Sequence, residues 1–201
     1  MHYIKTVTPA CLLFATLAVA VSYAGDIKGK VTAQGIKSAE NIAVYVAAIP
    51  GKTFPPPSEH AAMDQRKLTF IPHVLVVLKG TTVDFLNSDA VGHNVYWPAI
   101  DHNKKLAHNL GTWPQGVKKS FTYDELGVAP LLCNVHSEMS GYIVVVPTPY
   151  FAVTSKDGSY EIKSVPPGHY TVTTWSEEGK PATATVDVAA GTATLDLTVH
   201  K

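Results

Sequence analysis

Four side chains with soft or borderline donor atoms occupy two short stretches of this 201-residue chain. Cys133-Asn134-Val135-His136-Ser137-Glu138-Met139 sets a thiolate, an imidazole and a thioether at spacings of three. Upstream, His93 sits in Asn87-Ser88-Asp89-Ala90-Val91-Gly92-His93-Asn94-Val95. Two imidazoles and a thiolate with a weak axial thioether form the donor set of a type 1 copper centre. Sulfur favours Cu(I) and imidazole accepts both oxidation states, so the set suits an ion that gains and loses one electron with little rearrangement. Taken singly, His93, His136 and Met139 are ordinary residues; the specificity lies in their combination with Cys133.

Other chemistries fit this set less well. Zinc prefers a harder or more anionic fourth donor than a thioether. Attached c-type haem needs Cys-x-x-Cys-His, and the stretch holds one cysteine. A cysteine nucleophile has no use for a methionine three residues beyond its base. A four-donor site leaves no open position for a substrate, which argues against catalysis.

The compartment follows from the N-terminus. Residues 1–24 read as a secretory signal: Lys5 in the n-region, an apolar run over 11–21, and Ser22-Tyr23-Ala24 as a small-x-small cleavage site. An uncleaved anchor is the alternative. Cleavage removes Cys11 and leaves Cys133 as the only cysteine, so no internal disulfide can form. Metal ligation is one way to occupy a lone thiol in an oxidising compartment, and simple burial is another. The expected location is periplasmic or secreted.

The elements that must position these donors read as strands. Apolar or alternating runs recur over 27–32, 42–47, 73–78, 82–86, 120–123, 142–146, 159–163, 170–175, 183–188 and 194–199, broken by Gly, Pro, Asn and Asp. Short helices are expected only over 59–67 and 100–110. Phe54-Pro55-Pro56-Pro57 and Pro147-Thr148-Pro149 mark boundaries, because proline cannot donate within a sheet. Composition limits the partners. Lys and Arg number 16, as do Asp and Glu, so no basic excess favours nucleic acid. No run long enough to span a bilayer occurs beyond the N-terminus, so no stable membrane insertion is expected after signal cleavage.

With these residues in place, a resemblance can be stated. Phe70-x-Pro72 with Val74-Leu75-Val76-Val77, Gly80-Thr81-Thr82-Val83-Asp84-Phe85-x-Asn87, His93-Asn94-Val95, Cys133-x-x-His136-x-x-Met139 and Gly141-Tyr142-Ile143-Val144-Val145 together resemble a cupredoxin, the small blue copper domain of plastocyanin and amicyanin. The resemblance implies a Greek-key sandwich with one type 1 copper held at one end by His93, Cys133, His136 and Met139. It also implies an electron-transfer role through the solvent-facing His136, and an Asn94 that ties the two ligand loops together. Two departures stand out: Val135 where many members carry proline, and Leu131 where an aromatic is usual. Val135 retains an N–H that proline would lack. Aimed at the Cys133 sulfur, that N–H would favour Cu(I).

Lys156-Asp157-Gly158-Ser159-Tyr160 and Val165-Pro166-Pro167-Gly168-His169-Tyr170 resemble the carboxypeptidase regulatory-like, transthyretin-like β-sandwich, and Gly29-Lys30-Val31 with 42–47 fits its opening strands. The expected fold class is therefore all-β: a Greek-key cupredoxin sandwich over 58–147, inserted in a second small β-sandwich built from 25–57 and 148–201. The rival reading gives 27–47 to the cupredoxin. The 97–117 connection is expected to border the copper end, with His102 and His108 as weak candidates for a second metal site and His73 as a structural histidine. The expected activity is single-electron transfer between a donor and an acceptor redox protein, met transiently. The alternatives are copper storage, delivery or sensing without electron transfer, and a redox subunit of a larger enzyme.

Overall fold

The computed structural model describes residues 23–201, so the expected export signal lies outside the described residues apart from Tyr23 and Ala24. The chain begins with β1 (Gly25–Gln34) and β2 (Ala43–Val46). It continues with β3 (Ala61–Gln65), β4 (Phe70–Ile71), β5 (Val74–Leu78), β6 (Thr81–Asn87), β7 (His93–Trp97), β8 (His108–Trp113), β9 (Lys119–Tyr123), β10 (Gly127–Leu132) and β11 (Ser140–Val146). It ends with β12 (Phe151–Val153), β13 (Ser159–Val165), β14 (Gly168–Trp175), β15 (Thr183–Val188), β16 (Gly191–Thr194) and β17 (Leu197–His200). The fold is all-β.

Two sheets built from the middle of the chain face each other. One has the order β5-β11-β10-β7-β8 and the other β4-β3-β6-β9. They enclose one apolar core that includes Met63, Phe70, Phe85, Trp97, Tyr123, Leu131 and Ile143. Strict alternation in β6, where every second residue from Thr81 is buried, supplies one wall of that core. β5 and β11 are buried on both faces near their C-terminal ends, and their sequences Val-Leu-Val-Val-Leu and Ser-Gly-Tyr-Ile-Val-Val-Val are correspondingly continuous rather than alternating.

The remaining strands form a second pair of sheets. β1 lies between β13 and the successive strands β16 and β17, and β2 lies between β12 and β14, with β15 beyond. Ile27, Val31, Val44, Ile162, Val172 and Val199 fill the core between them. Strands from both ends of the chain thus share both sheets. The two sandwiches meet at a seam of Ala43, Val74, Val76, Val144 and Val146, flanked by Tyr45, Tyr142, Phe151 and Trp175. This seam covers the outer face of β5 and β11.

Both expected helices give way to strands. Segment 59–67 holds β3, which pairs in parallel with β6 from Ala61↔Val83 to Gln65↔Asn87 and turns Met63 and Gln65 inward. Sheet pairing overrides the helical leaning of Ala-Ala-Met-Asp-Gln. Segment 100–110 keeps a single 3₁₀ turn, Lys104–Leu106, whose N-cap Asn103 accepts from the Lys105 amide; from His108 the chain pairs with β7 as β8.

Candidate metal centre

β7 and β10 are neighbours in one sheet, joined at the register Leu132↔Tyr96. That pairing places His93, the first residue of β7, beside Cys133, the residue just past β10. The chain then turns through His136 and enters β11 directly after Met139. The Met139 amide donates to the His136 carbonyl at 3.1 Å, which keeps this loop tight.

His93, Cys133 and His136 converge. Their potential ligand atoms all lie within 4.8 Å of one another, and among the described residues they form the one such grouping of histidine, cysteine and acidic side chains. His93 Nδ1 is 3.1 Å from His136 Nδ1, and Cys133 Sγ is 4.0 Å from His136 Nδ1. Nitrogens at that separation can both reach an ion at bond lengths of about 2 Å. His93 and Cys133 are buried, while His136 is half-buried and gives the site an edge at the surface. Met139 is fully buried in the same apolar cluster as Cys133. The donor set and its spacing fit copper.

A network of hydrogen bonds fixes these groups. Asn94 N donates to Cys133 Sγ at 3.5 Å, and Asn134 N donates to Asn94 Oδ1 at 3.3 Å. Asn94 Nδ2 in turn donates to Asn109 Oδ1 at 2.9 Å. Asn94 therefore joins the His93 strand to the Cys133 loop through both its backbone and its side chain. Among the described residues, the N–H within reach of the sulfur is that of Asn94 rather than Val135, which corrects the expectation for Val135. The Val135 side chain is exposed.

Asp89 was not singled out in the sequence. Its Oδ2 lies 2.9 Å from His93 Nε2, and its two oxygens accept the amides of Lys67 and Leu68 at 2.6 and 2.9 Å. Those two residues have φ of 56° and 57°, a left-handed turn stabilised by the shared carboxylate. Burial alone would raise the Asp89 pKa; the amides of Leu68 and Lys67 and the His93 ring outweigh it and hold the carboxyl below its ordinary value. With Nε2 committed to Asp89, the His93 ring presents Nδ1 to the site. The only sequence signal was an acid four residues before the histidine, which alone is commonplace.

Apolar side chains border the same end. Val91, Val135 and Leu68 are 47%, 52% and 39% exposed; Val135 precedes His136, the Leu68 amide donates to Asp89, and Val91 lies between Asp89 and His93 in the chain. The other candidate histidines lie elsewhere. The His108 ring packs against Trp97 and Phe121, with centroids 5.2 and 4.7 Å away. Neither His102 nor His108 joins a metal-capable grouping among the described residues. His73 pairs with Glu177 at 3.0 Å across the seam. The 97–117 connection contributes β8, which borders the site through the register His93↔Trp113.

Residues 58–146 match the family described as copper binding proteins of the plastocyanin/azurin family, and residues 138–200 match the carboxypeptidase regulatory-like domain. No curated protein matches the chain. Among solved structures, a Cu(I) amicyanin variant is 27% identical, covering 43% of this chain and 81% of its own with a TM-score of 0.40. Another Cu(I) amicyanin variant is 26% identical, covering 50% of this chain and 98% of its own with a TM-score of 0.40. Residues 58–146, which hold the grouping of His93, Cys133 and His136, are thus similar to copper-binding cupredoxins, and residues 138–200 to carboxypeptidase regulatory-like domains.

Proposed function

We propose that this protein is an exported one-electron carrier that holds a single type 1 copper through His93, Cys133, His136 and Met139. The observation that carries this reading is the convergence of one imidazole from β7 with a thiol and a second imidazole from the loop after β10, with a buried thioether closing that loop. Bound copper supplies a Cu(I)/Cu(II) couple. The chain's own residues do the rest. His93 and Cys133 sit in a water-excluding core, Asp89 and Asn94 hold them in place, and a rigid site keeps the rearrangement on electron transfer small.

His136 is the half-exposed one of the two imidazoles and marks the point of electron entry and exit. Val91, Val135 and Leu68 give the surrounding surface an apolar character suited to a weak, short-lived contact with a donor or acceptor redox protein. We assign the cupredoxin to 58–147 and the outer sandwich to 25–57 with 148–201. The pairing of β1 with β13, β16 and β17 supports this nested arrangement. Export to the periplasm or beyond rests on the N-terminal signal read from the sequence. The proposed role involves no nucleic acid, no enzymatic turnover and no stable membrane insertion after signal cleavage.

The visible and electron-spin spectra of the copper-loaded protein, beside Cys133→Ser, test the proposal. An intense thiolate-to-copper band that the variant lacks, with fast electron self-exchange, is the expected result. Binding of Cu(I) alone, with no cycling, points instead to storage or delivery. A band that survives in Cys133→Ser removes the thiolate assignment.

A further inference from the structure

The seam between the two sandwiches carries a polar contact aimed at the strand that leaves the proposed copper loop. Glu177, in the turn after β14, accepts the Tyr142 hydroxyl on Oε1 at 2.8 Å and lies 3.0 Å from His73 Nε2 through Oε2. One carboxylate from the outer sandwich therefore holds two side chains of the other. Those two are themselves joined. The Tyr142 amide donates to the His73 carbonyl at 2.9 Å, and their rings meet edge to face with centroids 5.6 Å apart. Trp175 packs on the Tyr142 ring from the outer sandwich at 5.0 Å. Burial and then Glu177 raise the Tyr142 pKa well above its ordinary value, so its proton stays in place for this bond.

Glu177 does not reach across on a loose loop. Its neighbour Ser176 accepts the Gly179 amide at 2.8 Å, and Glu178 takes both the Lys37 ammonium at 2.9 Å and the Lys37 amide at 3.0 Å. A Cβ on Gly179 would lie 2.3 Å from Val199 Cγ1, so this turn is pressed against β17. On the receiving side, a Cβ on Gly141 would lie 2.8 Å from Phe70 Cβ, so the start of β11 has no slack against β4. Tyr142 is three residues beyond Met139, roughly 10 Å of extended chain. Met139 is fully buried and already tied to His136 by its amide.

We infer that Glu177 is a positioning residue for Met139: by gripping Tyr142 and His73, the outer sandwich sets where β11 begins and so how closely the thioether approaches the copper position. This rests on the copper reading above and assigns the outer sandwich a part in tuning it. Soft sulfur suits Cu(I), but a donor drawn closer to bound copper would add electron density that favours the more highly charged ion, and the potential of such a site is tuned by that donor. Loosening the grip would therefore raise the potential.

The test uses the full chain with Glu177→Ala, Glu177→Gln and Tyr142→Phe. In the copper-loaded proteins, Glu177→Ala and Tyr142→Phe are expected to raise the midpoint potential and alter the intensity ratio of the copper absorption bands. Glu177→Gln keeps an oxygen that accepts the Tyr142 hydroxyl and is expected to fall between them and wild type. In the metal-free proteins, amide exchange at Tyr142 and Ile143 is expected to become several-fold faster in Glu177→Ala, with the core of β13 unchanged. A potential and band ratio that stay at wild-type values in a blue protein overturn the inference alone, even if thermal stability falls. A wild-type protein with no thiolate band overturns the copper reading and this inference with it.

Discussion

Asp89 Oδ2 lies 2.9 Å from His93 Nε2, and the same carboxylate receives two backbone amides from Lys67 and Leu68. The second ring nitrogen of a proposed ligand is thus tied to a group that is itself held from another loop. Carboxylates in this position orient a histidine and raise its basicity toward a metal. Asp89→Ala is expected to weaken copper binding by about 10- to 100-fold, measured by competition with a chelator. Asp89→Asn keeps an accepting oxygen and should lose less. Equal affinity in all three proteins would remove the orienting role.

Asn94 joins β7 to the Cys133 loop through two hydrogen bonds, to Cys133 Sγ and from Asn134 N, and a third ties its side chain to Asn109 Oδ1 of β8. Asn94→Ala keeps the backbone bond to sulfur and deletes the two made by the side chain. The Asn134 amide loses its acceptor. The expected cost is about 1–3 kcal/mol, or a fall in Tm of roughly 2–12 °C for a chain of this size. Thermal unfolding with and without copper measures it. Faster copper loss should accompany the change, because the Cys133 loop keeps only the backbone bond to Asn94 and is held to β7 less tightly.

Asp84 gives a pH dependence remote from the metal site. Hydrogen bonds from Lys118 and then Ser120 lower its pKa well below the carboxylate range, burial opposes them, and His60 adds to the lowering. A carboxyl whose folded pKa is depressed adds stability above its unfolded value of about 3.9 and loses it as pH falls toward the folded value. Wild type is expected to exceed Asp84→Asn by a constant margin above about pH 5, shrinking steadily below about pH 4. Denaturant titrations across that range read the margin. A margin that grows on acidification would reverse the assignment.

Ile27 is fully buried in β1, between β13 and β16 and inside the core of the outer sandwich. Ile27→Ala is expected to cost about 2–5 kcal/mol through lost burial and the cavity left behind. The urea midpoint should fall accordingly. If the cupredoxin is a separate unit inserted between strands of the outer sandwich, the copper spectrum of the folded variant should be unchanged.

The candidate donor set and the all-β class are legible in local order alone. Cys133, His136 and Met139 sit three apart in one loop, and that spacing needs no tertiary information to be read. The alternation in β6 and the turn residues flanking the strands are equally local. Tertiary structure decided what depends on atoms far apart in the chain. That β3 is a strand follows from its pairing with β6, which outweighs the local helical leaning of Ala-Ala-Met-Asp-Gln. That the sulfur meets the amide of Asn94, and not that of Val135, follows from the adjacency of β7 and β10. Asp89 reaching His93, and Glu177 gripping Tyr142 across the seam, join residues whose types are unremarkable where they stand. Their roles come from geometry, because a hydrogen bond is decided within about 3 Å and linear order does not encode that distance.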